Sequence, residues 1–145
     1  MKLNKNIIKA FYEAKEQATG VAKVQSECKQ LGWKKSSRGL TFMVGDRDKA
    51  HVSATINTLE ESKNGVAIKV QITTELYNSD NFDASNNKVV KPQNQKSTAG
   101  VSVEDAIDFI NDITTAIKDA EEVCDRYNAV REELDEVFDD LKRIS

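Results

Sequence analysis

His51 is the only histidine of the 145-residue chain, and its aspartate neighbours make it the first candidate for acid–base or metal chemistry. Asp46 and Asp48 precede it closely, and Asp80 follows later in the chain. A metal site requires several ligands at defined spacing, and the sequence around His51 does not provide that spacing. Because His51 begins a predicted strand on its polar face, we expect a solvated surface histidine rather than a catalytic or metal-binding one.

Two other patterns resemble functional motifs but lack essential members. Asp46 and Asp48 could open a calcium-binding loop, yet the fifth position of such a loop is Ala50 and the twelfth is Asn57 instead of glutamate. The serine pair at 36–37 has no base at a recognisable distance, and the turn glycines are isolated, so no phosphate-cradling loop is present. We therefore predict a non-enzymatic protein with no catalytic residue, metal ligand or cofactor.

A basic segment near the N-terminus could neutralise phosphates, and a tryptophan beside it could stack on a base. The residues that carry this hypothesis are Trp33, Lys34, Lys35 and Arg38. Nearly all cations in the first third of the chain are lysines spread around a predicted helix, which favours a solvated face. Nucleic-acid binding is therefore an alternative to the main hypothesis below.

Acidic residues dominate the C-terminal third. Residues 103–145 hold fourteen acidic and five basic side chains, net −9, whereas residues 1–35 hold eight lysines and three glutamates, net +5. Opposite charges at the two ends indicate that the ends meet, within one chain or between two. The acids proposed to contact a basic partner are Glu132, Glu133, Glu136, Asp139 and Asp140. A helix with regular negative charge could also act as a DNA mimic.

The elements that position these residues begin with a predicted helix over residues 5–31, where apolar side chains recur at steps of three and four. Gly32 is expected to end this helix in the left-handed conformation, with Trp33 folding back on it. Gly20 predicts a bend or a close contact in its middle.

Cys28 and Cys124 fall on apolar helix faces, so we expect buried thiols and a cytoplasmic protein, in the host cytoplasm if it is viral.

The period then changes to two, which predicts three antiparallel strands over residues 39–44, 51–59 and 66–76, with polar turns between them. Residues 77–101 are rich in asparagine, serine and lysine and are predicted to form a long loop suited to partner binding, with 88–91 as an alternative fourth strand. The whole chain, 1–145, is predicted to be one α+β domain in which a β-meander lies on helices.

A long helix over residues 103–143 is announced by Ser102, whose hydroxyl can cap free backbone amides, and it is expected to pack on the N-terminal helix. Its apolar stripe runs from Val103 to Leu141, interrupted by Arg131. Such a helix would be roughly 60 Å long, which exceeds the width of a globule of this size. Either the helix breaks near 125–128 and doubles back, or its distal part pairs with another chain as a coiled coil. Of these two alternatives we favour the second, which predicts a homodimer.

Because no enzymatic motif is found, these observations predict a small protein-binding adaptor or inhibitor. It would act through an acidic helical surface. The composition, low in arginine and rich in asparagine and lysine, is typical of a viral or bacterial accessory protein. No stretch approaches the roughly 20 apolar residues that cross a bilayer, so no membrane association is expected. The partner is predicted to be another protein, with nucleic acid as the alternative.

Overall fold

The computed structural model describes residues 4–9, 19–77, 82–96 and 99–144. It is an α+β structure in which three helices lie on one face of a five-stranded antiparallel sheet. The strands are β1 (Lys34–Ser36), β2 (Gly39–Gly45), β3 (His51–Ser62), β4 (Gly65–Tyr77) and β5 (Phe82–Val90). The helices are α1 (Gly20–Leu31), α2 (Val103–Asp119) and α3 (Glu121–Ile144), and residues 5–9 are also helical.

The predicted N-terminal helix is not continuous from residue 5 to residue 31. Thr19 has an extended backbone, and its hydroxyl accepts a hydrogen bond from the Ala22 amide at 3.1 Å, so α1 begins only at Gly20. Residues 10–18 of the predicted helix lie outside the described residues. The close contact expected at Gly20 is present, because a Cβ there would lie 2.9 Å from Val66 and 3.0 Å from Val103.

The predicted end of α1 is confirmed. Gly32 has a φ of 100°, and the amides of Gly32 and Trp33 donate to the last carbonyls of the helix. This is the left-handed cap for which glycine is preferred. The cap turns the chain directly into the short strand β1.

The sheet is an antiparallel meander in the order β1-β2-β3-β4-β5, so each strand pairs with its neighbours in sequence. The three predicted strands are present, and two further strands enlarge the sheet. The predicted loop over residues 77–101 is wrong in its first half, where β5 pairs with β4 from Phe82 to Val90, and the alternative fourth strand over 88–91 captured only the end of β5. The sequence of β5 shows no period-two pattern, because its residues 84–89 are exposed on both faces of the sheet.

Several of the described residues in the rest of that predicted loop, 91–96 and 99–101, are held against the core. The Gln95 side chain is 5% exposed, and its Oε1 accepts a hydrogen bond from the Ile68 amide at 2.9 Å. Asn94 donates to the Asp105 carboxylate at 2.8 Å, and Val101 pairs with Val66 as an isolated bridge. These contacts do not fit the adaptable binding loop expected from the sequence.

The core lies between the inner face of the sheet and helices α1 and α2. Val24 and Cys28 from α1, Ile68 from β4, and Ala106 and Ile110 from α2 are each 0% exposed. The predicted packing of the C-terminal helical region on the N-terminal helix is therefore present between α1 and α2. Burial of these and the other apolar side chains of the core supplies most of the hydrophobic stabilisation of the fold.

The predicted helix over residues 103–143 is interrupted once, at Ala120, and not near 125–128. Ser102 caps α2 as expected, since its hydroxyl accepts from the Asp105 amide at 3.1 Å. Ala120 keeps a right-handed conformation, with φ −80° and ψ −11°, and α3 then continues unbroken from Glu121 to Ile144. The C-terminal helical region therefore does not double back at the expected position.

Candidate functional site

The first two turns of α3 are anchored on the body of the protein. Cys124 is 5% exposed and Asn128 is 9% exposed. The Asn128 side-chain amide donates to the Ala50 carbonyl at 3.1 Å, and its oxygen accepts from the Ala50 amide at 2.8 Å. This double hydrogen bond fixes the start of α3 against the turn between β2 and β3.

The rest of α3 leaves the body and exposes large apolar side chains. We call this set the distal seam: Val130 (54% exposed), Leu134 (42%), Val137 (52%), Phe138 (59%), Leu141 (56%) and Ile144 (82%). Five of its members follow steps of four and three residues, and Phe138 lies one turn from both Leu134 and Leu141. The distal seam is therefore one continuous stripe along one side of the helix.

The sequence interpretation missed part of this seam. Cys124 and Arg131, on the predicted stripe, face the body, whereas Val130, Val137 and Ile144 were not assigned to that stripe. Two apolar faces overlap in α3, and the buried one ends near Arg131. The regular four-three spacing that begins at Val123 is the signal that could have identified the second face.

The five acidic residues predicted to bind a partner lie on α3 and are exposed, but they are not equivalent. Glu132 forms an ion pair with Lys49 of the β2–β3 turn, and Asp140 lies 3.8 Å from the Arg143 guanidinium. From the helical repeat, Glu133 and Asp140 border the distal seam, whereas Glu136 lies on the opposite side of the helix. Asp139 shares that opposite side with Glu132.

The residues predicted to contact nucleic acid do not all lie on one exposed surface. Trp33 is 3% exposed, its Nε1 donates to the Thr114 hydroxyl at 2.9 Å, and its ring packs on Phe42, so it cannot stack on a base. Lys34 and Lys35 are exposed but point to opposite faces of β1. The stacking part of that hypothesis is wrong because Trp33 belongs to the core.

His51 is not the solvated histidine expected from the sequence, since it is only 7% exposed. Its Nε2 lies 3.2 Å from the Glu75 carboxylate, and its ring meets Tyr77 edge-on at 6.1 Å between centroids. These residues line part of a polar cavity of about 410 Å³ on the open face of the sheet. The Nδ1 atom of His51 has no hydrogen-bond partner in the described part of the chain, so no described hydroxyl is paired with this atom as a nucleophile.

Both cysteines are free and buried, as predicted. Burial, with a smaller contribution from Glu27, raises the pKa of the Cys28 thiol to about 12. Burial also raises the pKa of Cys124, with Asp125 acting in the same direction. Raised values disfavour the reactive thiolate, so these side chains act as small hydrophobic groups.

Within the described ranges, no three histidine, cysteine, aspartate or glutamate side chains are grouped closely enough to hold a metal ion. None of the helices in the described part of the chain is both long and apolar enough to cross a membrane. Comparison of the chain with protein-family models, with curated proteins and with solved structures gave no match.

Proposed function

We propose that this chain is a protein-binding module and that the distal seam of α3 is its binding surface. The observation that supports this proposal is the exposure of six large apolar side chains, each 42% or more, on one side of an ordered helix. Contiguous apolar patches of this kind mark interaction sites far more often than scattered apolar residues do. The body of the protein anchors α3 through Asn128 and so presents the seam at a defined position.

Burial of the distal seam provides the driving force for binding. Completely burying a valine, leucine, isoleucine or phenylalanine side chain stabilises a complex by roughly 1.5–3 kcal/mol, so covering a half-exposed one contributes about 1 kcal/mol. Phe138 lies one turn from Leu134 and one turn from Leu141, and these three residues form the centre of the seam. They are the residues expected to dominate the binding energy.

The acidic residues add selectivity to this apolar surface. Glu133 and Asp140 border the seam, so a partner helix with cations at its own borders would meet opposite charge there. Exposed charges of this kind raise the association rate more than the affinity. An adaptor or inhibitor role follows from the same surface, because occupying a groove on another protein blocks or redirects it.

The free thiols of Cys28 and Cys124 fit a reducing compartment such as the cytoplasm. Action in the cytoplasm, which is the host cytoplasm if the protein is viral, is part of the proposal.

The proposal is tested by affinity capture from cells with three versions of the full chain. The seam variant carries Leu134→Gln, Phe138→Gln and Leu141→Gln, and the control carries Val89→Gln, which changes a valine that is 56% exposed on β5. We expect proteins retained by the wild type and by the control to be lost from the seam variant. Retention of the same proteins by the seam variant, with unchanged helix content by circular dichroism, would contradict a binding role for the seam.

A further inference from the structure

The spacing of the distal seam specifies what kind of element can cover it. Val130, Leu134, Val137, Leu141 and Ile144 alternate steps of four and three, an average of 3.5 residues. A 3.5-residue repeat keeps an apolar seam facing one partner helix along a left-handed supercoil, whereas a flat surface or a strand does not follow it. The occupant that fits this spacing is another helix with the same repeat.

We infer that the occupant is the distal seam of a second copy of this chain, paired antiparallel about a two-fold axis; this inference rests on the proposed function of the seam. We place Leu134 opposite Val137 of the second copy, and in that register Val130 faces Leu141 of the second copy. The two-fold axis repeats each contact, so each layer joins a longer side chain to a valine. Knobs of unequal size then fill the facing holes without voids.

The position of the body selects the antiparallel orientation. The body contacts α3 between Cys124 and Glu132, and every residue from Glu136 to Ile144 is exposed. Antiparallel pairing places the two bodies at opposite ends of the paired helices, where the free C-terminal halves leave room for them. Parallel pairing would place both bodies at the same end, beside each other.

The length of the seam sets the extent of the pairing. Residues 130–144 extend for roughly 21 Å at 1.5 Å per residue, which is about two heptads. The side chain of Phe138 widens the stripe beyond a narrow coiled-coil seam and is covered when the copies pair. The same surface is thereby buried on both copies, as a two-fold contact requires.

Charge opposes this pairing but is the weaker effect. Residues 130–144 hold six acids and three basic side chains, net −3, and the register brings Glu133 near Asp140 of the second copy. Exposed like charges on helices repel weakly and are screened by salt, whereas burial of the apolar stripe is not. Self-association should therefore strengthen as salt rises, while binding of a basic partner should weaken.

The test is the mass of the full chain by sedimentation equilibrium over a range of protein concentrations, at low and at high salt. We expect a reversible pair of chains whose dissociation constant falls as salt rises. In the double variant Leu134→Gln, Leu141→Gln the dissociation constant should rise roughly 100-fold, because each change removes contacts twice around the axis. A single-chain mass at all concentrations, or pairing that weakens with salt, overturns the inference.

Orientation is tested by disulfide formation between two variants that each carry one added cysteine. A mixture of Val130→Cys and Leu141→Cys should give a linked dimer containing one chain of each, whereas neither variant should link to itself. Linkage of Ile144→Cys to itself would show parallel pairing and overturn the inferred arrangement. The native thiols are buried, so they should contribute little background. If the chain is a monomer but still captures proteins through the seam, the proposed function stands and the inferred self-pairing is wrong.

Discussion

Helix α2 and the distal half of α3 carry similar apolar stripes, but only one of the stripes is covered. Ala106 and Ile110 on α2 are 0% exposed, whereas Leu134 and Val137 on α3 are 42% and 52% exposed. The difference arises because α2 lies across the sheet and against α1, while α3 leaves the body after its first turns. An apolar stripe thus shows that a helix has a side to cover, and the surrounding structure decides whether this chain covers it.

The largest expected effect compares the same kind of truncation in the two regions. Ile110→Ala should lower the free energy of unfolding by about 2–5 kcal/mol, because it leaves a cavity in a packed core. Leu134→Ala should change it by less than about 0.5 kcal/mol in the single-copy species, because the side chain already contacts water. Urea unfolding followed by the fluorescence of Trp33, at low protein concentration, measures both values. Equal losses for the two variants would remove the distinction between the covered and uncovered stripes.

A smaller effect is expected where the anchored and free parts of α3 meet. Asn128→Ala removes the amide that pairs with both backbone groups of Ala50, which is 0% exposed. The Ala50 amide would then lack its hydrogen-bond partner, at a cost of about 1–3 kcal/mol. Urea unfolding measures this cost, and Asn86→Ala on the exposed strand β5 serves as the control. Indistinguishable stabilities for the two variants would show that Asn128 does not anchor the helix.

The smallest effect concerns the ion pair that links the exposed part of α3 to the body. Glu132→Gln removes the pairing with Lys49, whose side chain is 29% exposed against 60% for the glutamate. Such exposed pairs contribute at most about 1 kcal/mol, and the difference from wild type should vanish at high salt. Glu136→Gln, an exposed glutamate one turn further along the same side of α3, is the matched control. A salt-independent loss of stability would mean that Glu132 holds the helix by something other than charge.

Local features were predictable from the sequence because they depend on neighbouring residues. The left-handed cap at Gly32, the Ser102 cap of α2, and the three central strands all appear as expected. In each case the residue type satisfies a backbone requirement within a few positions.

The features that were missed depend on distant contacts. Strand β5 has no alternating pattern because its residues 84–89 are exposed on both faces, and it forms by pairing with β4. His51 was expected in solvent, but Glu75 on the neighbouring strand and Tyr77 at that strand's end enclose it. Trp33 was considered a stacking surface, but its contacts with Thr114 and Phe42 place it in the core.

The sequence predicted which helix carries the candidate site, but not which face of that helix forms the site. The C-terminal helix and its exposed acids were identified, whereas the apolar residues Val130, Val137 and Ile144 were not. Which side of α3 faces the body depends on where Asn128 meets Ala50, and these residues lie far apart in the chain.

The amino-acid sequence by itself determined the apolar periods, the caps and the net charges of the segments, because these depend on residue type and short-range backbone hydrogen bonding. Only the tertiary structure decided which apolar side chains are buried and which remain exposed. Burial requires surface from other elements, and in this chain the sheet and α1 cover α2, while the distal half of α3 extends beyond them.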